Sequence, residues 1–436
     1  SFIMFFGDIM QIITKVLWFF ATLIILTSSI YFTYKLKGIQ FNFKSMFKSI
    51  GSNSKTNGIS NFQTLMLTLA GRIGVGSVAG VSLAIYTGGI GTIFWLIITV
   101  FLCATNTFCE TILGGIYKEQ DANFQYKGGP SYYIKKGLKN KTLGNIYAIL
   151  IIVGYVGFFC GIQSNTITRS LVNTNIDVFL IATVLSIITF IIIYGGLKQI
   201  TKFSTVIVPI MTIIYILFAF IVLILNINKI PQIFIEIIKD AFNFKSFFTG
   251  FLSGFLIGIQ RGIFSNESGI GTGSIVSSTS CSTDIVKQGY IQMLGIYITT
   301  FLICISTAII VLTSNYQDLN YIDMNGIEMT KNAFLYHFGS LGDIVLTLSI
   351  ILFSFSTIVT AYYYGESCLK YFGNVNSIKI FLLKLATVLI VFVGCIASSY
   401  YLWSLVDIIV ALLILINVYA IIKLRKEILV YVNKNN

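Results

Sequence analysis

The chain has 436 residues, of which 56% are hydrophobic and only 10% charged, with a mean hydropathy of +0.87. Soluble domains carry about 25% charged residues, so a water-soluble domain of this size is excluded, and no long polar segment makes room for one beside the apolar runs. The net charge of +13 does not describe a nucleic-acid surface, because the lysines gather in alternate loops, as the positive-inside rule expects of a membrane protein.

Apolar stretches of about twenty residues, the length that crosses a ~30 Å hydrocarbon core, recur from end to end. They predict about eleven transmembrane helices at 9–34, 61–86, 90–117, 144–168, 176–195, 202–226, 246–280, 285–313, 340–369, 376–397 and 400–423. The fold class is therefore an all-α polytopic membrane protein. Residues 227–245 include "KIPQIFIEIIKDAF", whose charged and apolar positions alternate at helical spacing, and predict an amphipathic helix lying along the interface. No basic stretch precedes the first apolar run after Ser1, so no cleavable signal is expected.

Charge sets the expected orientation. The first loop holds Lys35, Lys37, Lys44, Lys48 and Lys55, and the third holds Lys118, Lys127, Lys135, Lys136, Lys139 and Lys141. Lys198 and Lys202, Lys370 and Lys379, and the tail residues Lys423, Arg425, Lys426 and Lys434 continue the odd-numbered set. The even-numbered loops are poor in lysine, or balance it, as Asp318, Asp323 and Glu328 do around Lys331. An outside N-terminus and a cytoplasmic C-terminus, in a cell membrane, follow from this and fit an odd number of spans. In the third loop, "GGPSYYI" (128–134) predicts a turn into a short interfacial helix with its tyrosines at the headgroup level.

Two spans contain residues that a helix in lipid should avoid. "LAGRIGVGSVAGV" (69–81) places Gly71, Arg72, Gly74, Gly76 and Gly80 in the second span, and "RGIFSNESGIGTGS" (261–274) masses Ser265, Asn266, Glu267 and Ser268 among glycines in the seventh. Isolated glycines often serve helix packing, but that does not account for the polar cluster. With the first span set aside, the two odd segments open two groups of five helices. Interrupted helices at matching positions of two halves point to an inverted-repeat transporter, because opened backbone is tolerated in a membrane only where it lines a cavity or binds something. The division expected is an N-terminal helix and loop (1–60), a first repeat (61–226), the interfacial segment (227–245), a second repeat (246–425) and a tail (426–436). Arg72 is tolerable only beside a polar cavity or an acid.

Seven ordered segments, "LAGRIGVGSVAGV", "FCETILGGIYKE", "YKGGPSYYI", "GIQSNTI", "GGLKQITK", "RGIFSNESGIGTGS" and "FSTIVTAYYYGE", resemble those of the alanine or glycine:cation symporters. The resemblance runs from about residue 60 to 370. It implies a leucine-transporter-type core of five plus five inverted helices with two broken ones, preceded by one additional helix. It implies sodium-driven uptake of a small neutral amino acid such as alanine or glycine. Two departures stand out: Val75 and Ser77 occupy places where the family pattern has threonine and asparagine, and Ala361 stands where it has tryptophan. If Ala361 faces the pocket, the cavity grows and admits a longer neutral amino acid such as glutamine.

A zwitterion in the membrane core needs its two charges satisfied separately. Backbone amides around Val75, Gly76 and Ser77, at the positive end of a half-helix, suit the carboxylate. The Phe264–Ser265 backbone, Gln163 and Thr166 are candidates for the ammonium, although Gln163, Asn165 and Thr166 also read as an interhelical hydrogen-bond cluster and Phe264 as core packing. For sodium, a hard cation that prefers oxygen, Ser356 and Thr357 lie side by side in a charge-free run of the ninth span. In the resembled fold this place faces the first break, where the Ala70 and Ile73 carbonyls would complete the shell. The bland reading is that both hydroxyls bond their own helix.

Proton coupling is the competing reading. It calls for a titratable group near the bilayer centre, and Glu110, Glu267 and Glu366 lie near cytoplasmic ends or at the break. Glu267 is expected to hold a half-helix terminus or to pair with Arg72 or Arg261. Seven scattered cysteines without a CxxC pair and a single histidine, His337, argue against zinc, haem or iron–sulfur centres. They also leave an enzyme no nucleophile with its base. A channel would show a repeated filter loop or subunit symmetry. No cofactor is expected beyond Na+ as the coupling ion, and the partners expected are the amino acid, the ion and the lipid bilayer.

Overall fold

The computed structural model describes residues 2–51, 59–120, 125–243, 252–280, 284–318, 326–373 and 375–435. Long apolar runs satisfy their backbone groups internally by forming helices, and helix dominates the chain. It starts with α1 (Phe2–Lys35), α2 (Phe43–Ile50) and α3 (Asn61–Arg72); after an interruption α4 (Val81–Gly88) resumes the path and α5 (Thr92–Ile116) follows. An antiparallel pair of two-residue strands, β1 (Glu119–Gln120) and β2 (Tyr126–Lys127), precedes α6 (Pro130–Lys136). A π-helical stretch, Ile152–Phe159, joins α7 (Lys141–Ile151) to α8 (Cys160–Ser170), and α9 (Val178–Tyr194), α10 (Gly196–Leu225) and α11 (Ile230–Ala241) come next. The second half holds α12 (Leu252–Asn266), α13 (Thr272–Ser277), α14 (Ile285–Tyr297) and α15 (Ile305–Leu312). It ends with α16 (Ile327–Phe338), α17 (Ser340–Tyr371), α18 (Ser377–Ile396), α19 (Ser399–Lys423) and α20 (Arg425–Asn435).

Polar residues at the helix starts do what their chemistry predicts. Ser60 accepts from the Gln63 amide while the Gln63 side chain accepts from the Ser60 amide, a complete capping box on α3. Asn140, Asp177, Asp284 and Asn376 cap α7, α9, α14 and α18 in the simpler way.

Among the described residues, eight helical runs are long and apolar enough to cross a membrane, and Asn61–Arg72 with Gly76–Gly88, bent by 55°, makes a ninth. The other two expected spans fall short for visible reasons. α9 has only 17 residues, and the seventh span is divided into α12 and α13. Residues 246–251 of that span, with Lys55, Cys281 and Asp323, lie outside the described residues.

The two interrupted helices run antiparallel in contact. A methyl group placed on Gly88 would lie 3.2 Å from Ile257, and one on Gly76 would lie 2.7 Å from the Phe264 ring and 3.2 Å from Ser265 Cα. Around them α17 packs on α3, α8 and α10, and α5 packs on α12, α13 and α14. The first helix, for which the sequence suggests no place, is seated against α19 and α5. Trp18 Nε1 donates to the Asp407 carbonyl (3.0 Å), and Asn106 Nδ2 donates to Ile25 O (3.2 Å) and Ser29 Oγ (2.6 Å).

The structure corrects or narrows the sequence reading at three places. The tyrosines of "GGPSYYI" do not face lipid headgroups: Tyr132 and Tyr133 are buried in the protein, and the Tyr133 hydroxyl donates to Asn417 Oδ1. Helix α6 turns inward because Gly128 and Gly129 lie directly against Ser278 and Ile275 of the second half. The loop before the ninth span contains α16, and Lys331 there is buried, donating to Ser170 O (2.7 Å) and pairing with Asp343 (3.0 Å). Of the two arginines expected near Glu267, Arg261 pairs with Asp407 instead, whereas Arg72 shares the buried region of Glu267.

Candidate functional site

At the first break α3 gives out at Ile73, whose backbone is extended (φ −87°, ψ 91°), and a π-helical turn, Gly76–Gly80, begins the continuation. Side chains from other helices take over the bonding that the helix has lost. Gln163 Oε1 on α8 accepts from the Val75 amide (3.1 Å), Thr307 Oγ1 on α15 donates to Ser77 O (2.9 Å), and Thr330 Oγ1 on α16 donates to Val78 O (3.2 Å). Within the break, Ser77 Oγ donates to Arg72 O (3.3 Å) and Ser77 N to Gly74 O (3.2 Å). Gly74 lies so close to α17 and α8 that a methyl there would stand 2.4 Å from Thr357 Oγ1 and 3.0 Å from Gln163 Oε1.

The same break meets the hydroxyl pair of α17. Ser356 Oγ lies 3.2 Å from Ala70 O, and Thr357 Oγ1 lies 3.1 Å from Ala70 O and 3.3 Å from Ile73 O. Both hydroxyls also have a closer acceptor in their own helix, Phe353 O, at 2.9 and 3.0 Å. A hydroxyl has one hydrogen and two lone pairs. With the hydrogens turned to Phe353 O, the lone pairs and the two α3 carbonyls form a cluster of neutral oxygens suited to a hard monovalent cation. Among the described residues, no group of three His, Cys, Asp or Glu side chains could hold a metal ion.

The second break is built differently. Glu267 (φ +56°), Gly269 (φ +75°) and Gly271 (φ +107°) turn the chain between α12 and α13 through left-handed backbone. At Gly271 a side chain is ruled out by packing as well, since a methyl would fall 2.3 Å from both Pro130 and the Tyr147 hydroxyl. Tyr147 donates to Ile270 O (2.6 Å) and Asn417 Nδ2 to Gly269 O (2.9 Å). The Glu267 carboxyl accepts from three hydroxyls: Tyr155 (2.9 Å), Thr272 (2.8 Å) and Tyr364 (3.2 Å).

Aromatic rings wall the space where the breaks meet. Phe264 stacks on Phe159 (5.1 Å between centroids), which stacks on Tyr155 (4.3 Å), and Trp403 of α19 closes on Phe264 at 5.1 Å. The Arg261 guanidinium lies over Trp403 (4.9 Å) and Phe264 (5.6 Å) and pairs with both Asp407 oxygens at 3.1 and 2.5 Å.

Most of the predicted residues share this neighbourhood. Val75, Gly76, Ser77, Gln163, Phe264 and Ser265 surround the break, and Ala70, Ile73, Ser356 and Thr357 form the oxygen cluster beside it. Ser265 Oγ is shared with Cys304 Sγ (3.0 Å). Ala361 is buried one helical turn past Thr357, hence on the same face of α17. Thr166 bonds Ile162 O of its own helix (2.9 Å), and Asn165 ties α8 to Gly394 O and Ala397 O. Sequence reasoning missed Trp403 and Asp407. The signal for Asp407 was present, an acid within the apolar run of the last span, where ionisable residues are functional or paired.

A likeness in fold goes with this architecture. The chain superposes on the manganese transporter of Eremococcus coleocola, solved with an aromatic bis-isothiourea compound, with a TM-score of 0.54 at 13% identity, covering 82% of this chain and 76% of that one. At that identity the likeness speaks for the fold alone, a bundle of membrane-spanning helices. The chain belongs to the sodium:alanine symporter family, whose pattern matches residues 4–435. It is 34% identical to the amino-acid carrier protein AlsT of Bacillus subtilis over 96% of this chain and 89% of AlsT. To the "Probable sodium/glutamine symporter GlnT" of the same organism it is also 34% identical, over 96% of this chain and 88% of that protein. It is a symporter by family and not an enzyme.

Proposed function

We propose that the protein couples sodium entry to uptake of a small neutral amino acid, alanine or glycine first, by alternating access across the cell membrane. The observation that carries this reading is the convergence of Ala70 O, Ile73 O, Ser356 Oγ and Thr357 Oγ1 beside opened backbone. A cation held there lies one residue from the Gly74–Ser77 amides, so it favours an anionic carboxylate at the same break. Val75 N, held by Gln163 until substrate arrives, and the amides of Gly76 and Ser77 are assigned to that carboxylate. Gln163, Thr166 and the Phe264–Ser265 backbone are assigned to the ammonium. Residues 61–226 and 246–425 act as the two inverted repeats, with the lysine-rich loops and C-terminus inside and the N-terminus outside. Phe264, Trp403 and the Arg261–Asp407 pair cover the site from the outer side, where α12 and the start of α19 lie.

Reconstituted into liposomes, the protein should accumulate alanine only under an inward sodium gradient. Equal uptake under a proton gradient in potassium buffer would refute sodium coupling. A second reading, transport of a longer neutral amino acid, is favoured by the small side chain at Ala361 and by the relative named for glutamine. Competition by glutamine as strong as that by alanine would establish it.

A further inference from the structure

The sodium reading leaves one buried charged cluster unused, on the side of the breaks where the lysine-rich loops lie. Gly273, in the first turn of α13, has no room for a side chain. A methyl there would lie 2.9 Å from Arg72 Nη2, 3.0 Å from Glu110 Oε1 and 3.1 Å from Gln292 Oε1. Three polar ends from α3, α5 and α14 thus close around one point of α13, with guanidinium and carboxyl no more than 5.9 Å apart, the sum of their distances from it. Arg72, Glu110 and Glu267 are all buried, at 2%, 0% and 1% exposure.

One guanidinium balances one carboxylate. A second ionised carboxylate in the same dry seam carries an uncompensated buried charge, which a protein interior disfavours strongly. Hydrogen bonds distinguish the two acids. Glu267 accepts from three hydroxyls and needs no proton of its own. Glu110 accepts from Asn417 Nδ2 at Oε2 (3.0 Å), with the Gly271 peptide nearby, while its buried Oε1 has no hydrogen-bond partner among the described residues. The other groups facing it bring no second cation: Gln292 from α14, Asn417 from α19, Tyr133 from α6, Tyr147 from α7 and Cys109 beside it on α5 are neutral. Arg72 is engaged with Gln292, through Nη1 to its carbonyl (2.8 Å) and Nη2 to Oε1 (3.3 Å).

We propose that Glu110 is a proton-binding site, a carboxylic acid while the seam between α3, α5, α13 and α14 is shut, and a carboxylate once that seam opens to water on the lysine-rich side. The O–H bond breaks as the half-helices part, and the proton passes to water in the cytoplasmic compartment. Closing the seam requires the proton back. Acid on that side therefore holds the seam shut, and internal pH governs release of the transported solute. This rests on the alternating-access reading but not on which ion drives uptake.

Two measurements test it. Infrared spectra of the purified protein at neutral pH should show the carbonyl stretch of a protonated carboxylic acid, lost in Glu110→Gln and kept in Glu366→Gln, whose acid pairs with Lys370. Absence of that band in the wild type, or its persistence in Glu110→Gln, overturns the proposal without any transport assay. In proteoliposomes with fixed external pH and sodium gradient, wild-type alanine uptake should fall about threefold or more as internal pH drops from about 8 to about 6. Glu110→Gln, a neutral copy of the protonated acid, should transport with a flat profile. Identical internal-pH profiles in the two proteins overturn the proposal and leave sodium coupling standing. Absence of sodium-driven uptake alongside the Glu110 band overturns the proposed function and supports the proton site.

Discussion

Thr357 Oγ1 touches Ala70 O, Ile73 O and Phe353 O at once, which makes it the atom whose removal separates ion binding from folding most cleanly. Thr357→Val keeps the shape and removes the oxygen. The sodium concentration for half-maximal uptake should rise about tenfold or more, equivalent to ~1.4 kcal/mol, while the alanine KM at saturating sodium moves less. Unchanged sodium dependence would remove this residue from the ion site. Ala361→Trp restores bulk one turn along the same helix face and should narrow the competition profile to alanine and glycine; an unaltered profile would show that this position does not face the solute. At this scale the sequence was informative where chemistry is local. Ser356 and Thr357 stand out because adjacent hydroxyls interrupt a charge-free run. The companion of Arg261 was not legible, because Asp407 lies 146 residues away and only folding brings them to 2.5 Å. Thr166 looked like Gln163 on paper, yet its hydroxyl donates to Ile162 O in the preceding turn of its own helix.

The elements divide into those that sequence pattern determines and those that neighbours hold in place. Long apolar helices such as α10 and α17 follow from composition and length. The two broken ones follow only in part: glycine and polar clusters mark where regular bonding stops, but the groups that support the opened backbone (Gln163, Thr307, Thr330, Tyr147, Asn417) come from five other helices. The tie between α12 and α19 is of the same kind. Asp407→Asn leaves the Arg261 guanidinium unpaired in a buried setting and should cost about 3–5 kcal/mol, read as a lower thermal unfolding midpoint in detergent. Adding Arg261→Met to Asp407→Asn should recover much of that loss, since the isolated charge is then gone. Equal unfolding midpoints in the single and double variants would mean that the pair contributes little. Helix α6 shows the limit of reading loops: a short tyrosine-bearing segment resembles an interfacial one until the protein surface it covers is known.

For the whole molecule, composition alone determined an all-helical, many-times-spanning membrane protein, since no water is present in the hydrocarbon to satisfy a backbone that is not helical. The order of interruptions, glycines and hydroxyls along the chain pointed to the kind of transporter and to the neighbourhood proposed for its site. Tertiary structure decided what pairs with what. It placed the extra first helix against α19 and α5, it turned Tyr133 and Lys331 inward, and it gathered Arg72, Glu110 and Gln292 around Gly273. The reason is reach: periodicity and hydropathy record how each segment meets lipid or protein, whereas hydrogen bonds and ion pairs act over about 3 Å between residues whose separation along the chain carries no trace of their meeting.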